Sequence, residues 1–152
     1  MRRLSRYARA ALALLALCAF IPLILPRPWR TTNDVTTGRS REYPDLQDRH
    51  YAAPLRETLA AAEAAARDIR RWRVVRTDTT AHTLHVEIRT AIPLFTDELT
   101  ARVAPEGPGH RHSRVNIRSR SRIGRGDLGE NARHIRALQR AMDARLPRMT
   151  SP

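Results

Sequence analysis

Four groups of residues have types and spacing that could do chemistry. The first is I-G-R-G-D-L-G, residues 123–129, which sets Gly124, Gly126 and Gly129 as G-x-G-x-x-G after the alternating run R-V-N-I-R-S-R-S-R. That is the spelling of a dinucleotide-binding turn, where glycines let a helix N-terminus approach a pyrophosphate. The motif works only within a strand–turn–helix–strand unit, and after the helical pattern that follows only R-M-T-S-P remains. Asp127, placed to cap that helix, competes for the N–H groups a phosphate would use. No cofactor is expected, and the glycines are read as a tight strand-to-helix turn.

The second group is a row of arginines. Arg114, Arg118, Arg120 and Arg122 share one parity of a strand, and Arg125 follows in the glycine turn. Alternate residues of a strand stand about 6.6 Å apart, close to the spacing of successive phosphates or of packed lipid head groups. Arg118, Arg120, Arg122 and Arg125 are therefore the candidate anion-binding residues. Glu87 and Glu98 fall on the matching polar face of neighbouring strands, so cross-strand ion pairing explains the same arginines equally directly. Nucleic acid is a third reading, weakened because these strands carry no aromatic residues on which bases would stack.

The third group surrounds Asp97, which has the parity of Phe95 and Leu99 and is expected to face the apolar side of the sheet. Ser119 and Ser121 share that side, and Asp127 and Asn131 begin the helix that covers it. An unpaired carboxylate there is costly. The cluster reads either as a hydrogen-bonded structural lock or as the lining of a small site. As a site, it makes the chain an enzyme acting on a small substrate at Asp97, Asp127 and Asn131.

The fourth group is histidine. His110 and His112 form H-x-H in a Gly/Pro-rich turn, and His82 and His85 flank another. Neither pair has carboxylates or cysteines at ligand spacing, so no metal site is expected. Cys18 is the single cysteine, which excludes an intramolecular disulfide. No serine or cysteine lies in a nucleophile-elbow context, and no catalytic residue is assigned.

The background charge is high: 28 basic residues against 15 acidic ones, a formal +13 in 152 residues. Such a balance raises nucleic acid or an anionic membrane as partner. Every basic residue is Arg, however, and Ala is abundant, as a GC-rich genome produces without selection for binding. Much of the charge is read as solvated surface.

Residues 1–9 hold four arginines and no acid, and residues 10–25 hold no charge. Sixteen residues at about 1.5 Å each reach roughly 24 Å, slightly under a hydrocarbon core of about 30 Å. Residues 1–30 are read as a membrane anchor or an uncleaved signal. The dense basic cluster precedes the apolar run, which predicts a single-pass protein of the cytoplasmic membrane with its domain on the outer, periplasmic side. The membrane, through that N-terminal helix, and an anionic lipid or other anionic envelope component are the expected partners.

These groups need elements to position them. Residues 31–53 mix turn formers with no period and read as an extended linker. A helix opens at Pro54 with Leu55, Leu59, Ala62, Ala66 and Ile69 on one face. Four alternating strands follow: W-R-V-V-R, T-L-H-V-E-I-R-T, L-T-A-R-V and the arginine strand. A second helix carries Leu128, Ile135, Leu138, Met142 and Leu146 on one face, and D-L-G-E at its start fits a capping box. The expected fold is α+β: a four-stranded antiparallel meander with one helix before and one after it (αββββα), preceded by an N-terminal transmembrane helix. The domain spans residues 54–148, and residues 149–152 are a tail.

The run R-V-N-I-R-S-R-S-R-I-G-R-G-D-L-G-E-N-A-R-H-I-R, with F-T-D-E-L, Y-P-D-L and N-D-V-T-T upstream, resembles a bacterial and plastid family, domain of unknown function 1499 (DUF1499). The most specific match is G-x-x-D-x-G-x-N at Gly124, Asp127, Gly129 and Asn131. Where that family usually shows two aspartates, this chain has Asp97 followed by Glu98, and it lacks the paired cysteines of some members. The resemblance implies a small domain, often joined to a membrane segment, and no activity. The function expected from the residues is a non-enzymatic, envelope-associated binding module with an arginine face for anionic groups.

Overall fold

The computed structural model describes residues 32–89, 95–123 and 127–149. The expected N-terminal anchor, Gly124, Arg125 and Gly126 lie outside the described residues. Among the described residues no helix is long and apolar enough to cross a membrane.

The elements run β1 (Asp34–Thr36), β2 (Arg49–Tyr51), α1 (Leu55–Asp68), β3 (Trp72–Asp78), β4 (Thr83–Arg89), β5 (Thr96–Glu106), β6 (His112–Ser121), α2 (Glu130–Asp143) and β7 (Arg148–Met149). The expectation of a four-stranded meander is corrected: all seven strands form one antiparallel sheet, ordered β3-β4-β5-β6-β2-β7, with β1 also paired to β6. β3 to β6 pair consecutively, residues read as linker supply β1 and β2, and β7 includes the first residue of the tail. The reason is hydrogen-bond supply. β6 is long, and its second edge exposes backbone groups that must be paired. Two short strands share the task, β1 against Arg118 to Arg120 and β2 against Ser113 to Val115. Strands of three residues are too short to display a period.

α1 begins after Pro54, whose φ of −68° suits a helix entry, and ends at Ile69, which is extended. Its alanines form well and bulk little. Ala62, Ala65 and Ala66 are fully buried, so the helix axis lies close to the sheet. Leu84, Val86 and Ile88, Leu99, Ala101 and Val103, and Val115 and Ile117 project from β4, β5 and β6 into the same core. Each large side chain there contributes about 1.5–3 kcal/mol by leaving water.

α2 packs beside α1 and on the sheet, and its Ala132, Ile135, Leu138 and Met142 are fully buried. Its start departs from the capping box. The helix opens at Glu130 behind Gly129 in the left-handed region, φ 80°, and Leu128 also has φ 54°. The Asp127 carboxylate accepts from Gly129 N–H (2.9 Å) and Asn131 N–H (2.7 Å), whereas Glu130 pairs with Arg133. Leu128 is consequently outside the helix and 57% exposed, not part of its apolar face.

The sheet therefore has a covered face, packed by both helices, and an outer face left to polar side chains. The ends differ as well. The C-terminus of α1, the starts of β3 and β5, the ends of β4 and β6 and the start of α2 all meet at one end of the domain. Asn33 is fixed there by accepting from Ser121 N–H at 2.9 Å and Asn131 Nδ2 at 3.1 Å.

Candidate functional site

The arginine row projects from the outer face, and the register of the sheet determines what each arginine meets. Arg120 lies opposite Glu98, which lies opposite Glu87, which lies opposite Arg73. Arg120 donates to Glu98 at 2.8 Å, Arg122 donates to Glu98 at 2.8 Å and to Glu87 at 2.6 Å, and Arg73 also bonds Glu87. Hydrogen bonds from Arg120 and Arg73 hold Glu98 and Glu87 below the usual carboxylate range. Arg118 makes a two-pronged contact with Asp34 of β1, which lowers that carboxyl. Arg114 stands 3.4 Å from Glu106 and 3.7 Å from Asp48. Of the four candidate anion-binding residues, the structure thus joins Arg118, Arg120 and Arg122 to carboxylates; Arg125 lies outside the described residues.

Two arginines on this face behave differently. Arg102 of β5, opposite Asn116, and Arg39, in the turn after β1, have no carboxylate partner among the described residues. They border a hollow of about 600 Å³ over β1, β6 and β5, lined also by Asp34, Thr36, Thr100, Asn116 and Arg118. Its floor is firm, because Asn116 Nδ2 donates to Thr37 O (3.1 Å), Thr37 Oγ1 (3.0 Å) and Asp48 (2.8 Å). No aromatic ring lines the hollow, which gives a base nothing to stack on. Arg39 and Arg102 were missed because residue type alone does not distinguish a paired arginine from an unpaired one.

On the covered face the polar cluster assembles. Ser119 Oγ donates to Asn131 Oδ1 at 2.7 Å, and Asn131 Nδ2 reaches Ser121 Oγ at 3.1 Å. Asp97 is 2% exposed, and Ser119 and Asn131 are fully buried. The cluster has a member not foreseen, His134, one helical turn beyond Asn131. Its Nδ1 is 3.7 Å from Asp97 and its Nε2 is 3.9 Å from Glu130, while Trp72 meets the ring edge-on at 6.0 Å. Burial drives both partners towards their neutral forms: it raises the Asp97 carboxyl and lowers the His134 imidazole. The i, i+3 spacing from Asn131 to His134 on one helix face was the available signal. Asp97, Ser119, Ser121, Asp127 and Asn131 are brought together, mutually bonded and largely closed to solvent. Such an arrangement holds the strand-to-helix junction together.

The histidine pairs do not converge. His110 is exposed in a 3-10 turn, and His85 contacts Thr83 and Thr100. Among the described residues no group of three or more His, Cys, Asp or Glu is placed to hold a metal ion.

The model of the family described as "Protein of unknown function (DUF1499)" matches residues 25–142. No curated protein matches the chain. Among solved structures it is similar to the crystal structure of TTHA0849 from Thermus thermophilus, at 12% identity and a TM-score of 0.44, over 74% of this chain and 95% of that one.

Proposed function

We propose, from the premise that this chain belongs to the DUF1499 family, that it is a non-enzymatic module binding small anions in the hollow on the outer face of its sheet. The observation that carries this reading is the contrast between Arg39 and Arg102, which border the hollow without a carboxylate partner among the described residues, and Arg114, Arg118, Arg120 and Arg122, which each have one. A phosphate or carboxylate entering the hollow gains charge-assisted hydrogen bonds from two guanidinium groups without displacing an existing partner. Thr36, Thr100 and Asn116 supply neutral polar groups beside them. A volume of about 600 Å³ is in the range of sites for small molecules. The arginine face of the sequence reading is retained in this proposal, moved from Arg118, Arg120, Arg122 and Arg125 to the unpaired pair. Placement at the outer side of the cytoplasmic membrane is supported by the charge pattern of residues 1–25 alone, and a topology reporter fused after Pro152 tests it.

Calorimetric titration of the full chain with inorganic phosphate and with citrate at low salt tests the site. Saturable binding that weakens about tenfold or more in Arg39→Gln/Arg102→Gln is expected, from the loss of charged hydrogen bonds worth about 1.5–3 kcal/mol each. Asp34→Asn, which releases Arg118 towards the hollow, strengthens binding. Unchanged affinity in the double variant, with its fold intact, rejects the assignment.

A further inference from the structure

We propose that the end of the domain where the chain enters it is a lipid-contacting tip: Ile123, Leu128 and Phe95 enter the interfacial layer of an anionic bilayer, and the arginines around them engage its head groups. This surface is separate from the anion-binding hollow.

Three observations meet at this end. The first is apolar exposure. Ile123 is 65% exposed, Leu128 57% and Phe95 39%, and with Val75 they are the exposed large hydrophobic residues described in the domain. They are grouped by topology. Asp97 pairs with Ser121 and Arg122 N–H donates to Thr96 O at 3.4 Å, so continuing the register sets Phe95 opposite Ile123. Leu128 stands at the start of α2, whose next turn is bonded to Ser119 and Ser121 of the same strand. Single exposed hydrophobics are ordinary, but three grouped at one end of a small polar domain mark a contact surface.

The second observation is charge. Arg70 and Arg71 at the start of β3 and Arg89 at the end of β4 share this end, since Arg89 N–H donates to Arg71 O at 3.1 Å. None of the three has a carboxylate partner among the described residues. The nearby acids Glu87, Glu98, Glu130 and Asp68 are each matched by an arginine already. Asp97 and Asp127 here are buried, and Glu42, which accepts from Thr32 N–H, is an exposed carboxylate without an arginine partner among the described residues, so the three arginines leave the exposed charge at this end positive on balance around the apolar tips. Apolar residues inside a basic ring are the composition that binds an anionic interface.

The third is the chain itself. The uncharged run of residues 10–25 joins the domain here, because Asn33 is pinned beside Ser121 and Asn131. The seven residues 26–32 between them reach at most about 25 Å when extended. If residues 10–25 lie in lipid, the tip stands within about 25 Å of the hydrocarbon edge, a reach that lets it touch the head groups.

The test uses the full chain in a Cys18→Ser background, with Ile123→Cys, Leu128→Cys or, as the control at the opposite end, Arg111→Cys. Each variant carries an environment-sensitive fluorophore and is reconstituted into phosphatidylcholine vesicles with or without phosphatidylglycerol. Spin-labelled lipid is expected to quench positions 123 and 128 roughly threefold or more over position 111 when phosphatidylglycerol is present, as insertion of an apolar tip requires. Arg70→Gln/Arg71→Gln/Arg89→Gln is expected to abolish that excess. Equal quenching at all three positions, or none at 123 and 128, overturns the proposal. Equal quenching with and without phosphatidylglycerol overturns its anionic part. A blue shift that grows with protein density and is not quenched by lipid assigns the tip to a second copy of the chain instead.

Discussion

Ser119 Oγ donates a 2.7 Å hydrogen bond to Asn131 Oδ1, and this bond joins the arginine strand to the first turn of α2. Both residues are fully buried, and the same Asn131 side chain also satisfies Asn33 O and Ser121 Oγ. Asn131→Ala takes from buried Ser119 Oγ its one hydrogen-bond partner among the described residues, while Asn33 O keeps Ser121 N–H and Ser121 Oγ keeps Asp97. The expected cost is about 2 kcal/mol, chiefly the penalty of roughly 1–3 kcal/mol for the one buried group left unsatisfied. Thermal unfolding checks it: a fall in Tm of about 10 °C is expected for a domain of this size. A Tm equal to that of the wild type contradicts the lock.

His134 makes stability depend on pH with a definite sign. Burial holds its folded pKa below the ordinary 6.5, against attraction from Asp97, Glu130 and Asp127 and aided by Arg133. The unfolded chain therefore binds the proton first, and stability falls as pH drops from about 6.5 towards the lowered folded value. Asp97 acts oppositely and lower on the scale, since its raised carboxyl favours the folded state as pH falls towards 3.8. Chemical denaturation of wild type and His134→Gln at a series of pH values separates them. The variant should lose the decline that begins near pH 6.5, and parallel curves would show that His134 does not titrate in this way.

Arg122, which bridges Glu87 and Glu98, is half-exposed, so water and salt screen its ion pairs. Arg122→Ala should lower Tm by no more than a few degrees, and molar salt should erase the difference. A large loss that persists in salt would mean that the network is structurally essential, against its exposure.

Two neighbours should respond in opposite directions to the same kind of change. Leu128 has φ 54° and Gly129 has φ 80°. A left-handed conformation costs a residue with a side chain about 1–2 kcal/mol. Gly129→Ala is expected to destabilise by about that amount; the added methyl would meet Tyr43 Oη at an ordinary 3.5 Å, so the penalty is backbone strain. Leu128→Gly is expected to gain up to about 1 kcal/mol, the relief being partly offset by a freer unfolded chain. Urea midpoints of the two variants on the same side of wild type would refute this reading of the turn.

Much of the covered face was legible in the sequence. The alternation of Leu84, Val86 and Ile88, or of Val115 and Ile117, is a direct consequence of the two-residue period of a strand, and these residues are buried as that period requires. Parity also assigned Asp97 to the core side, with Ser119, Ser121, Asp127 and Asn131 near it. His134 escaped because one histidine in an arginine-rich helix carries no period of its own. β1, β2 and β7 escaped for a different reason: segments of two or three residues have no pattern and become strands only because β6 and β2 offer unpaired edges.

The outer face divides the two kinds of information most sharply. The sequence by itself determined that arginines line one side of β6, because parity is local and covalent. Which of them keeps its charge available was decided only by tertiary structure: register brings Glu98 to Arg120 and Asp34 to Arg118, and leaves Arg102 opposite Asn116. A cross-strand partner is set by how distant segments align, and a single chain segment carries no record of that alignment.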